Sequence, residues 1–365
     1  MKKVLFLTNY PSPYRVRFFD ELAKYLDVTV LYTDRAAEQK DREKAWFIQG
    51  EGRFREAVLG KRLSVRGANL CLKVLSWLKK PYDHILICGY SSPTNMLAMA
   101  YLKTRRIPFW MEVDGGLIRE EGKAKYRFKK TLISMATDWL GTGNTVTEYL
   151  VHYGAERERV FTYPFSSLSE KDILPEPPCR EEKKMLREKL GMTEEKVLLS
   201  VGQFIPRKGF DLLLQAAAKM PKTTGIYIVG GEPTEAYLQM RQALDLSNVH
   251  FVGFQSKDAL AEYYRSADLF VFPTREDIWG LVVQEAMAYG LPVVTTDKCV
   301  AGLELIEPGH NGYLVPGENV PALRDAVERA LSGDLTSMGR AALETIRPYT
   351  IEAMAKFHGD LLGGK

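Results

Sequence analysis

The chain has 365 residues, of which 45% are hydrophobic and 26% charged, and its formal net charge at pH 7 is +4. This length exceeds what one hydrophobic core usually serves, so we expect two domains of ordinary size. No stretch approaches the roughly 20 apolar residues of a membrane span, and the start of the sequence turns polar too early for a signal peptide. These features favour a cytoplasmic location.

The charge is divided unequally along the chain. Residues 1–166 contain 28 Lys and Arg against 18 Asp and Glu, a net charge of +10, whereas residues 167–365 contain 22 against 28, a net charge of −6. A basic domain commonly meets phosphate, an anionic membrane surface or nucleic acid.

Strand-length apolar runs alternate with segments of helical period in residues 1–166. Apolar strands separated by helices indicate a parallel sheet covered on both faces. The first half is therefore predicted to form a Rossmann-like, doubly wound domain. Its predicted strands are 4–8, 28–33, 84–89, 108–113 and 159–164, and its predicted helices are 14–25, 93–103 and a basic helix that begins at Lys123.

The segment 167–191 is rich in proline and charge, which predicts a linker between domains. A second alternation follows, so 167–349 is predicted to contain a second doubly wound domain, and 350–365 a helix. Ligands of such sheets bind beyond the carboxyl ends of the strands. The predicted strands are 196–202, 225–231, 249–254, 269–274 and 292–297, and the predicted helices are 209–220, one near 234–245 and one that contains Glu285.

The most informative segment joins two carboxylates, Asp277 and Glu285, to the start of a helix. The predicted strand 269–274 precedes it, Gly280 marks the helix start, and the helix ends before Pro292. The free N–H groups and partial positive charge of a helix start suit a phosphate or the oxygens of a sugar. Alternatively, the carboxylates only complement the helix dipole, a contribution of about 0.3–1 kcal/mol each.

This segment resembles family 4 of the retaining glycosyltransferases, in which two Rossmann-like domains face each other across a cleft, an architecture called GT-B. The family motif reads E-G-F-G-L-x-x-x-E-A-M-A; Gly280, Leu281 and Glu285 match it, and Asp277 stands where the first Glu is expected. The resemblance spans nearly the whole chain. It implies that Glu285 binds ribose hydroxyls and that Asp277 binds sugar hydroxyls. It also places three backbone N–H groups near sugar or phosphate, those of Trp279, Gly280 and Leu281.

A second motif brings Arg207 and Lys208 to the end of the predicted strand 196–202. Fixed cations can stabilise a diphosphate whose charge grows as a glycosidic bond breaks. The family pattern is G-R-x-x-x-x-K-G, so Lys208 matches its lysine, Gln203 replaces its arginine, and Arg207 is the candidate to compensate. The alternative is that both cations are solvated turn residues.

The chain departs from the family pattern at two further points. The shorter side chain of Asp277 leaves neighbouring Glu276 as an alternative sugar ligand. After the predicted strand 108–113 the family often has a His, and this chain has Asp114. Asp114 is a candidate to bind the donor sugar or an acceptor hydroxyl, and the alternative is that it only caps its loop.

Glycines end two further strands of the second domain. Gly230 resembles part of a G-x-G turn of the family, and Gly253 with Phe254 resembles the loop that borders the nucleotide base. Glycine permits close backbone approach, although an ordinary strand-to-helix turn explains each one equally well. The sequence has no G-x-G-x-x-G fingerprint, which argues against a dinucleotide oxidoreductase.

Metal and cofactor chemistry finds little support in the sequence. There is no Asp-x-Asp pair, the five histidines lack ligand spacing, and the four cysteines form no C-x-x-C pair. We therefore predict reduced thiols, no bound metal and no cofactor beyond the nucleotide-sugar substrate.

Two basic stretches favour contact with a membrane surface. Residues 61–80 carry six Lys and Arg and no acidic residue, interleaved with Leu, Val and Trp77, and a second basic stretch is 123–130. Such stretches can lie on anionic lipid. The alternative is a core-facing helix with a solvated basic face. The net charge of the first half favours peripheral contact at the inner face of a membrane and a lipid-linked acceptor.

The residues and the resemblance together predict a metal-independent, retaining glycosyltransferase that moves a sugar from a nucleotide sugar to a hydroxyl of a glycan or lipid-linked acceptor. Surface polysaccharide or glycolipid assembly is the expected setting, without nucleic acid as a partner. A sugar-nucleotide 2-epimerase of the same architecture and a nucleotide-sugar-binding protein without turnover are the alternatives. The residues predicted to act in catalysis are Arg207, Lys208, Asp277 and Asp114.

Overall fold

The computed structural model describes residues 1–33, 52–60, 63–65 and 68–364. The chain forms two compact units. The first unit is built from Met1–Ser167 together with Tyr349–Lys365, and the second from Leu168–Pro348.

The described residues form strands and helices in the following chain order. The strands are β1 (Lys3–Thr8), β2 (Asp27–Tyr32), β3 (Arg55–Val58), β4 (Leu63–Val65), β5 (Ala68–Leu70), β6 (His84–Cys88), β7 (Trp110–Val113), β8 (Asp138–Gly141), β9 (Val160–Thr162), β10 (Lys196–Val201), β11 (Thr224–Val229), β12 (Val249–Val252), β13 (Leu269–Phe272), β14 (Val293–Thr296) and β15 (Gly312–Val315). The helices are α1 (Pro13–Leu22), α2 (Val74–Leu78), α3 (Pro93–Thr104), α4 (Lys123–Ile133), α5 (Asn144–His152), α6 (Arg180–Leu190), α7 (Phe210–Ala217), α8 (Glu235–Ala243), α9 (Lys257–Ser266), α10 (Leu281–Ala288), α11 (Val300–Leu305), α12 (Val320–Ser332), α13 (Leu335–Ile346) and α14 (Ile351–Gly363).

A parallel sheet forms the centre of the first unit. Its seven described strands lie in the order β3-β2-β1-β6-β7-β8-β9. Strand β1 is buried from its second residue onward and pairs in parallel with β2 on one side and β6 on the other. The order of the strands therefore reverses between β1 and β6. A crevice forms at such a reversal, beyond the carboxyl ends of the strands, and ligands bind there.

The carboxyl-terminal helix belongs to the first unit, where α14 packs on α1. The imidazole of His358 and the ring of Phe18 meet edge to face with centroids 5.0 Å apart. A β-carbon at Gly359 would lie 2.7 Å from the Tyr25 ring, so glycine at this position lets α14 come close to the segment that follows α1. This packing carries a carboxyl-terminal imidazole into the core of the amino-terminal sheet.

The second unit has a parallel sheet of the same kind, with strand order β12-β11-β10-β13-β14-β15. Its strands are apolar and largely buried, and the apolar faces of α7 and α12 pack on one side of the sheet. Here the order reverses between β10 and β13. The predicted α/β fold with two Rossmann-like sheets is confirmed.

Sequence reading missed several short elements of this fold. Strand β8 is only four residues long and begins with Asp138, yet it lies between β7 and β9 in the first sheet. Four residues are too few to show a period, and pairing on both sides, which a sequence does not display, stabilises the strand. Strand β15 was missed as well, because it has four residues and begins with a glycine, Gly312.

The basic stretch 61–80 does not form one helix. It contains the antiparallel pair β4 and β5 followed by the single-turn helix α2, in which Val74 and Leu78 are buried. Residues 61, 62, 66 and 67 lie outside the described residues. The second basic stretch is a helix as predicted, since α4 begins at Lys123. Within the described part of the chain, no helix combines the length and the apolar character needed to cross a bilayer.

Gly209 is required by its backbone and by its neighbours. Its φ is +68°, in the left-handed region, and a β-carbon there would overlap the carbonyl oxygen of Pro273, at the end of β13. The loop after β10 can therefore approach the end of β13 only through a residue without a side chain.

Gly209→Ala should destabilise the protein by about 2–4 kcal/mol, because it adds a steric overlap with backbone to the cost of a left-handed alanine. Urea denaturation measures the loss. Gly191→Ala is the matched control, since Gly191 has a φ of +70° and nothing within 4 Å of a β-carbon. Equal losses for the two variants would contradict the proposed close approach.

Candidate functional site

The predicted site residues of the second unit lie around the point where its strand order reverses. The loop after β10 carries Arg207 and Lys208, and the loop after β13 carries Asp277. Strands β10 and β13 are neighbours in the sheet, so their carboxyl ends deliver both loops to the same place. This is the position at which open α/β sheets bind ligands.

The carboxylate of Asp277 holds both cations. Its Oδ2 lies 2.7 Å from Nζ of Lys208 and 3.3 Å from Nη1 of Arg207. Lys208 is the less exposed cation, with 12% of its side chain accessible against 44% for Arg207. The neighbouring Glu276 contributes its backbone carbonyl, which accepts a 2.7 Å hydrogen bond from Arg207. Glu276 stays the alternative sugar ligand beside Asp277.

Arg275 clamps the cationic loop, and sequence reading did not identify it. Its guanidinium makes two 2.7 Å hydrogen bonds to the two carboxylate oxygens of Asp211, and Nη1 also donates to the carbonyl of Pro206 at 2.8 Å. The Arg275 amide donates to the carbonyl of Arg207 at 2.8 Å. The hydrogen-bonded carboxylate of Asp211 raises the pKa of Arg275, which stays charged. The loop that presents Lys208 is therefore fixed before any ligand arrives.

A buried thiol supports the loop between β13 and α10. Gly280 has a φ of +105°, and a β-carbon there would lie 2.5 Å from Sγ of Cys299. The Cys299 thiol donates to the carbonyl of Trp279 at 3.3 Å, and burial raises the pKa of that thiol to about 12. Trp279 is buried. The backbone at Gly280 therefore packs on a neutral thiol, and helix α10 begins at the next residue, Leu281.

Glu285 lies one turn into α10 and is partly buried. The hydroxyl of Tyr264 donates to its Oε2 at 3.1 Å, and the Tyr264 ring stacks on Tyr289 with centroids 5.1 Å apart. Burial raises the pKa of Glu285, against the opposing effects of the Tyr264 hydrogen bond and of nearby lysines that include Lys208. A carboxylate set in this way is ready to accept hydrogen bonds from ligand hydroxyls, which would repay its desolvation.

The remaining predicted residues of the second unit follow the carboxyl ends of β10, β11 and β12, at the same edge of the sheet. Gly230 directly follows β11, and a β-carbon there would overlap the carbonyl of Gly202, so the loops after β10 and β11 touch through two glycines. Gln203 follows Gly202 and is exposed. Gly253 and Phe254 follow β12, one strand further out, where 48% of Phe254 is exposed.

Asp114 follows β7 in the first unit and belongs to a buried polar cluster. The guanidinium of Arg15 lies 2.8 Å from Glu112 Oε1 and 2.7 Å from Asp114 Oδ1. The hydroxyl of Tyr163 lies 3.0 Å and 3.1 Å from the same two oxygens. Cys88, at the end of β6, donates to Glu112 Oε2 at 3.2 Å. Sequence reading selected Asp114 alone, because nothing in a sequence marks a charged side chain that will be buried.

The pKa values of the two carboxyls of this cluster shift in opposite directions. Burial alone would raise the pKa of Glu112, but Arg15 and His358 outweigh it and lower that pKa. For Asp114 burial prevails over Arg15, and the pKa is raised. Burial also lowers the pKa of His358, whose Nδ1 donates to the carbonyl of Met354 at 2.8 Å. The cluster therefore brings one guanidinium, two carboxyls and an imidazole together.

Metal ligands do not cluster in the part of the chain that the structure describes. There, no three His, Cys, Asp or Glu side chains are arranged to hold a metal ion. His310 is exposed on the surface.

The family model described as "Glycosyl transferases group 1" matches residues 182–344, which is less than half of the chain. D-inositol 3-phosphate glycosyltransferase of Mycolicibacterium smegmatis is 33% identical over 160 residues, 42% of this chain and 36% of that protein. Lipopolysaccharide glucosyltransferase WaaG of Escherichia coli is 30% identical over 177 residues, 47% of this chain and 45% of that protein. The chain thus spans less than half the length of these curated relatives.

Comparison with solved structures extends the likeness of fold to the whole chain. HepE from Anabaena in complex with UDP covers 100% of both chains with a TM-score of 0.79 at 18% identity. All the second-unit site residues described above, from Gln203 to Glu285, fall within the matched residues 182–344. Through those residues, the chain is similar to the family described as "Glycosyl transferases group 1".

Proposed function

We propose that this chain is a retaining, metal-independent glycosyltransferase of the family 4 kind, which moves a sugar from a nucleoside diphosphate sugar to an acceptor hydroxyl. One observation carries the proposal. Lys208 and Arg207 share Asp277 at the strand-order reversal of the second unit, beside the start of α10. The site offers two cations and a helix start to a diphosphate, and carboxylates to hydroxyl groups.

Charge development on the leaving group gives the cations their role. As the bond to the sugar breaks, negative charge grows on the terminal phosphate of the donor, and Lys208 can stabilise it more strongly than it stabilises the ground state. Asp277 pairs with Lys208 at 2.7 Å. Bound diphosphate would take over that cation and free Asp277 to accept hydrogen bonds from sugar hydroxyls. The N–H groups at Gly280 and Leu281 would face the phosphate or the sugar.

The names of the relatives indicate which compounds to test first. The HepE structure contains UDP, and WaaG is named a lipopolysaccharide glucosyltransferase. These names support UDP-glucose as the first donor and a glycan or lipid-linked glycan as the first acceptor, in surface polysaccharide or glycolipid assembly at the cytoplasmic face of a membrane.

Lys208→Met should lower the rate of sugar transfer by about 10²–10³-fold, the usual effect of removing one group that stabilises transition-state charge. The rate is measured with a radiolabelled nucleotide sugar and lipid-linked acceptors. UDP-glucose should also raise the melting temperature of the variant less than that of wild type, because a ligand stabilises the native state in proportion to its binding.

The matched control is Lys184→Met, because Lys184 is exposed and pairs with Glu188 on α6, away from the site. Unchanged transfer in Lys208→Met would remove this lysine from the mechanism. Incubation with donor alone distinguishes the alternatives: an epimerised donor would identify a 2-epimerase, and binding without transfer to any acceptor would identify a binding protein.

Glu285→Gln should raise the stability of the protein and weaken its binding of UDP. Burial raises the pKa of Glu285, so the ionised carboxylate lowers the free energy of unfolding at mildly alkaline pH. Protonation removes this loss of stability as the pH falls through the raised pKa. The variant should therefore melt at a higher temperature than wild type at mildly alkaline pH, by about 2–4 °C per kcal/mol, and the difference should shrink on acidification.

At the same mildly alkaline pH the variant should bind UDP on the order of 10-fold more weakly, because it replaces a hydrogen bond to a charged group. Calorimetry measures the affinity and thermal denaturation the stability. Glu328→Gln, on the solvent-facing side of α12, serves as the control. Unaltered UDP affinity in Glu285→Gln would show that Glu285 does not contact the nucleotide.

We also propose that the first unit contacts an anionic membrane surface through α4. Phe128 on α4 is 53% exposed and Ile118, in the preceding loop, is 48% exposed. Apolar side chains beside a row of cations fit a lipid surface, to which each exposed cation adds about 1 kcal/mol. The exposed basic residues of α4 are Lys123, Lys125, Arg127 and Lys130.

The protein should sediment with phosphatidylserine-containing vesicles at low salt and dissociate at high salt, since salt screens charges at the surface. Phe128→Ser should weaken this binding severalfold. Met185→Ser on α6 is the control, because Met185 is 63% exposed and lies in the second unit. Equal sedimentation with neutral and anionic vesicles would contradict the proposal.

A further inference from the structure

We propose that Lys257 and Asp172 are positioning residues of the second unit, which together set the pH range over which Glu285 is a charged acceptor for ligand hydroxyls. Lys257 gives Glu285 a cation that favours its charged form, and Asp172 limits this effect by pairing with the same cation. That the ligand is a nucleotide rests on the proposed function. The effect on Glu285 does not, because it can be measured without any ligand.

Three contacts bond α9, α10 and the segment before α6 to one another. The ammonium of Lys257, the first residue of α9, lies 2.7 Å from Oδ1 of Asp172. The amide of Leu174 donates to the carbonyl of Ala288, the last residue of α10, at 2.9 Å. The hydroxyl of Tyr264 on α9 donates to a carboxylate of α10 at 3.1 Å. The three contacts enclose the carboxylate that Tyr264 bonds, which is the candidate ligand for nucleotide hydroxyls.

Lys257 and Tyr264 lie on one face of α9. Seven residues separate them, which is two turns of a helix or about 10 Å along its axis. Side chains of a helix lean toward its amino terminus, so the Tyr264 hydroxyl and the Glu285 carboxylate that it contacts are displaced toward Lys257. The stem of Lys257 is long and flexible, and 55% of its side chain is exposed. Its ammonium can therefore be shared between Asp172 and Glu285.

The charge on Glu285 depends on this pair. Burial has the largest effect on the pKa of Glu285 and raises it, while the hydrogen bond from Tyr264 opposes burial. Among the neighbouring charges Lys257 acts most strongly and lowers this pKa, Asp172 raises it, and Lys208 lowers it. An ion pair at the surface of the site thus acts on a carboxylate that neither partner bonds.

Asp172 is held in place before a ligand binds. It ends a single turn of 3₁₀ helix, and its Oδ2 accepts a 2.9 Å hydrogen bond from the amide of Ser169. Only 12% of its side chain is exposed. Burial, with a smaller contribution from Asp172, raises the pKa of Tyr289 to about 12, so this neighbouring phenol stays neutral while Glu285 titrates. The other charged residues that act on Tyr289 are Arg265 and Asp258 of α9.

Removing one partner or the other should move the titration of Glu285 in opposite directions. In Lys257→Met the carboxylate loses a cation, so its pKa should rise. In Asp172→Asn it loses a like charge and gains the released Lys257, so its pKa should fall, and asparagine keeps an oxygen for the Ser169 amide. NMR of protein with ¹³C-labelled glutamate side chains measures the titration, and Glu285→Gln identifies the signal.

The affinity for UDP should follow these shifts, because the charged carboxylate is the stronger acceptor. At the pH where wild-type affinity has fallen to half its alkaline value, Lys257→Met should bind UDP about 2- to 5-fold more weakly, and Asp172→Asn up to about twofold more tightly. At alkaline pH the affinity of Lys257→Met should stay within about twofold of wild type. Calorimetry over a series of pH values measures these affinities, and protonation of the diphosphate is common to all variants.

Lys189→Met is the matched control, because Lys189 pairs with Glu262 on the same helix at 2.6 Å. It should change neither the titration nor the binding. Shifts in one direction for both variants, or no shift in either, would overturn the proposal. So would an equal loss of UDP affinity at every pH in Lys257→Met, because Lys257 would then contact the nucleotide itself. If wild type bound no UDP at any pH, the proposed function would fail, and the titration of Glu285 would still decide the role of the pair.

Discussion

The ion pair between Lys208 and Asp277 holds together two loops at the ligand-binding edge of the second sheet. It joins the loops that follow β10 and β13, two neighbouring strands between which the order of the sheet reverses. Gly209 permits the close approach of these loops, and Arg275 clamps the cationic one through Asp211. The backbone of the site is therefore fixed, while a diphosphate can take the place of Asp277 as the partner of its two cations.

The first unit repeats the topology with the opposite electrostatics. Its sheet also reverses beside the first strand, but there the cation, Arg15, is buried and shared by two carboxyls. The accessible cations lie at the edge of the second sheet, and the accessible carboxylate, Asp114, lies at the edge of the first.

Elements with a long apolar run or a clear helical period in their sequence were predictable, and short elements were not. Strand β1 and helix α3 were predicted within one residue of their bounds, because continuous apolar runs and a helical period are properties of the local sequence. Strand β8, by contrast, has four residues beginning with Asp138 and exists because β7 and β9 pair with it. The helix expected in the stretch 61–80 was wrong for a related reason. Its composition is typical of a basic helix, but part of it pairs as the antiparallel strands β4 and β5.

The sequence alone determined the α/β alternation and the residues that stand next to a strand end, among them Lys208, Asp277 and Asp114, since spacing from a strand is a local property. Only the tertiary structure decided that Arg15 meets Glu112, 97 residues away, and that Tyr264 orients Glu285. The physical reason is that a buried charge is stable only beside a partner. Such a partner is found through the packing of distant segments, which local sequence does not encode.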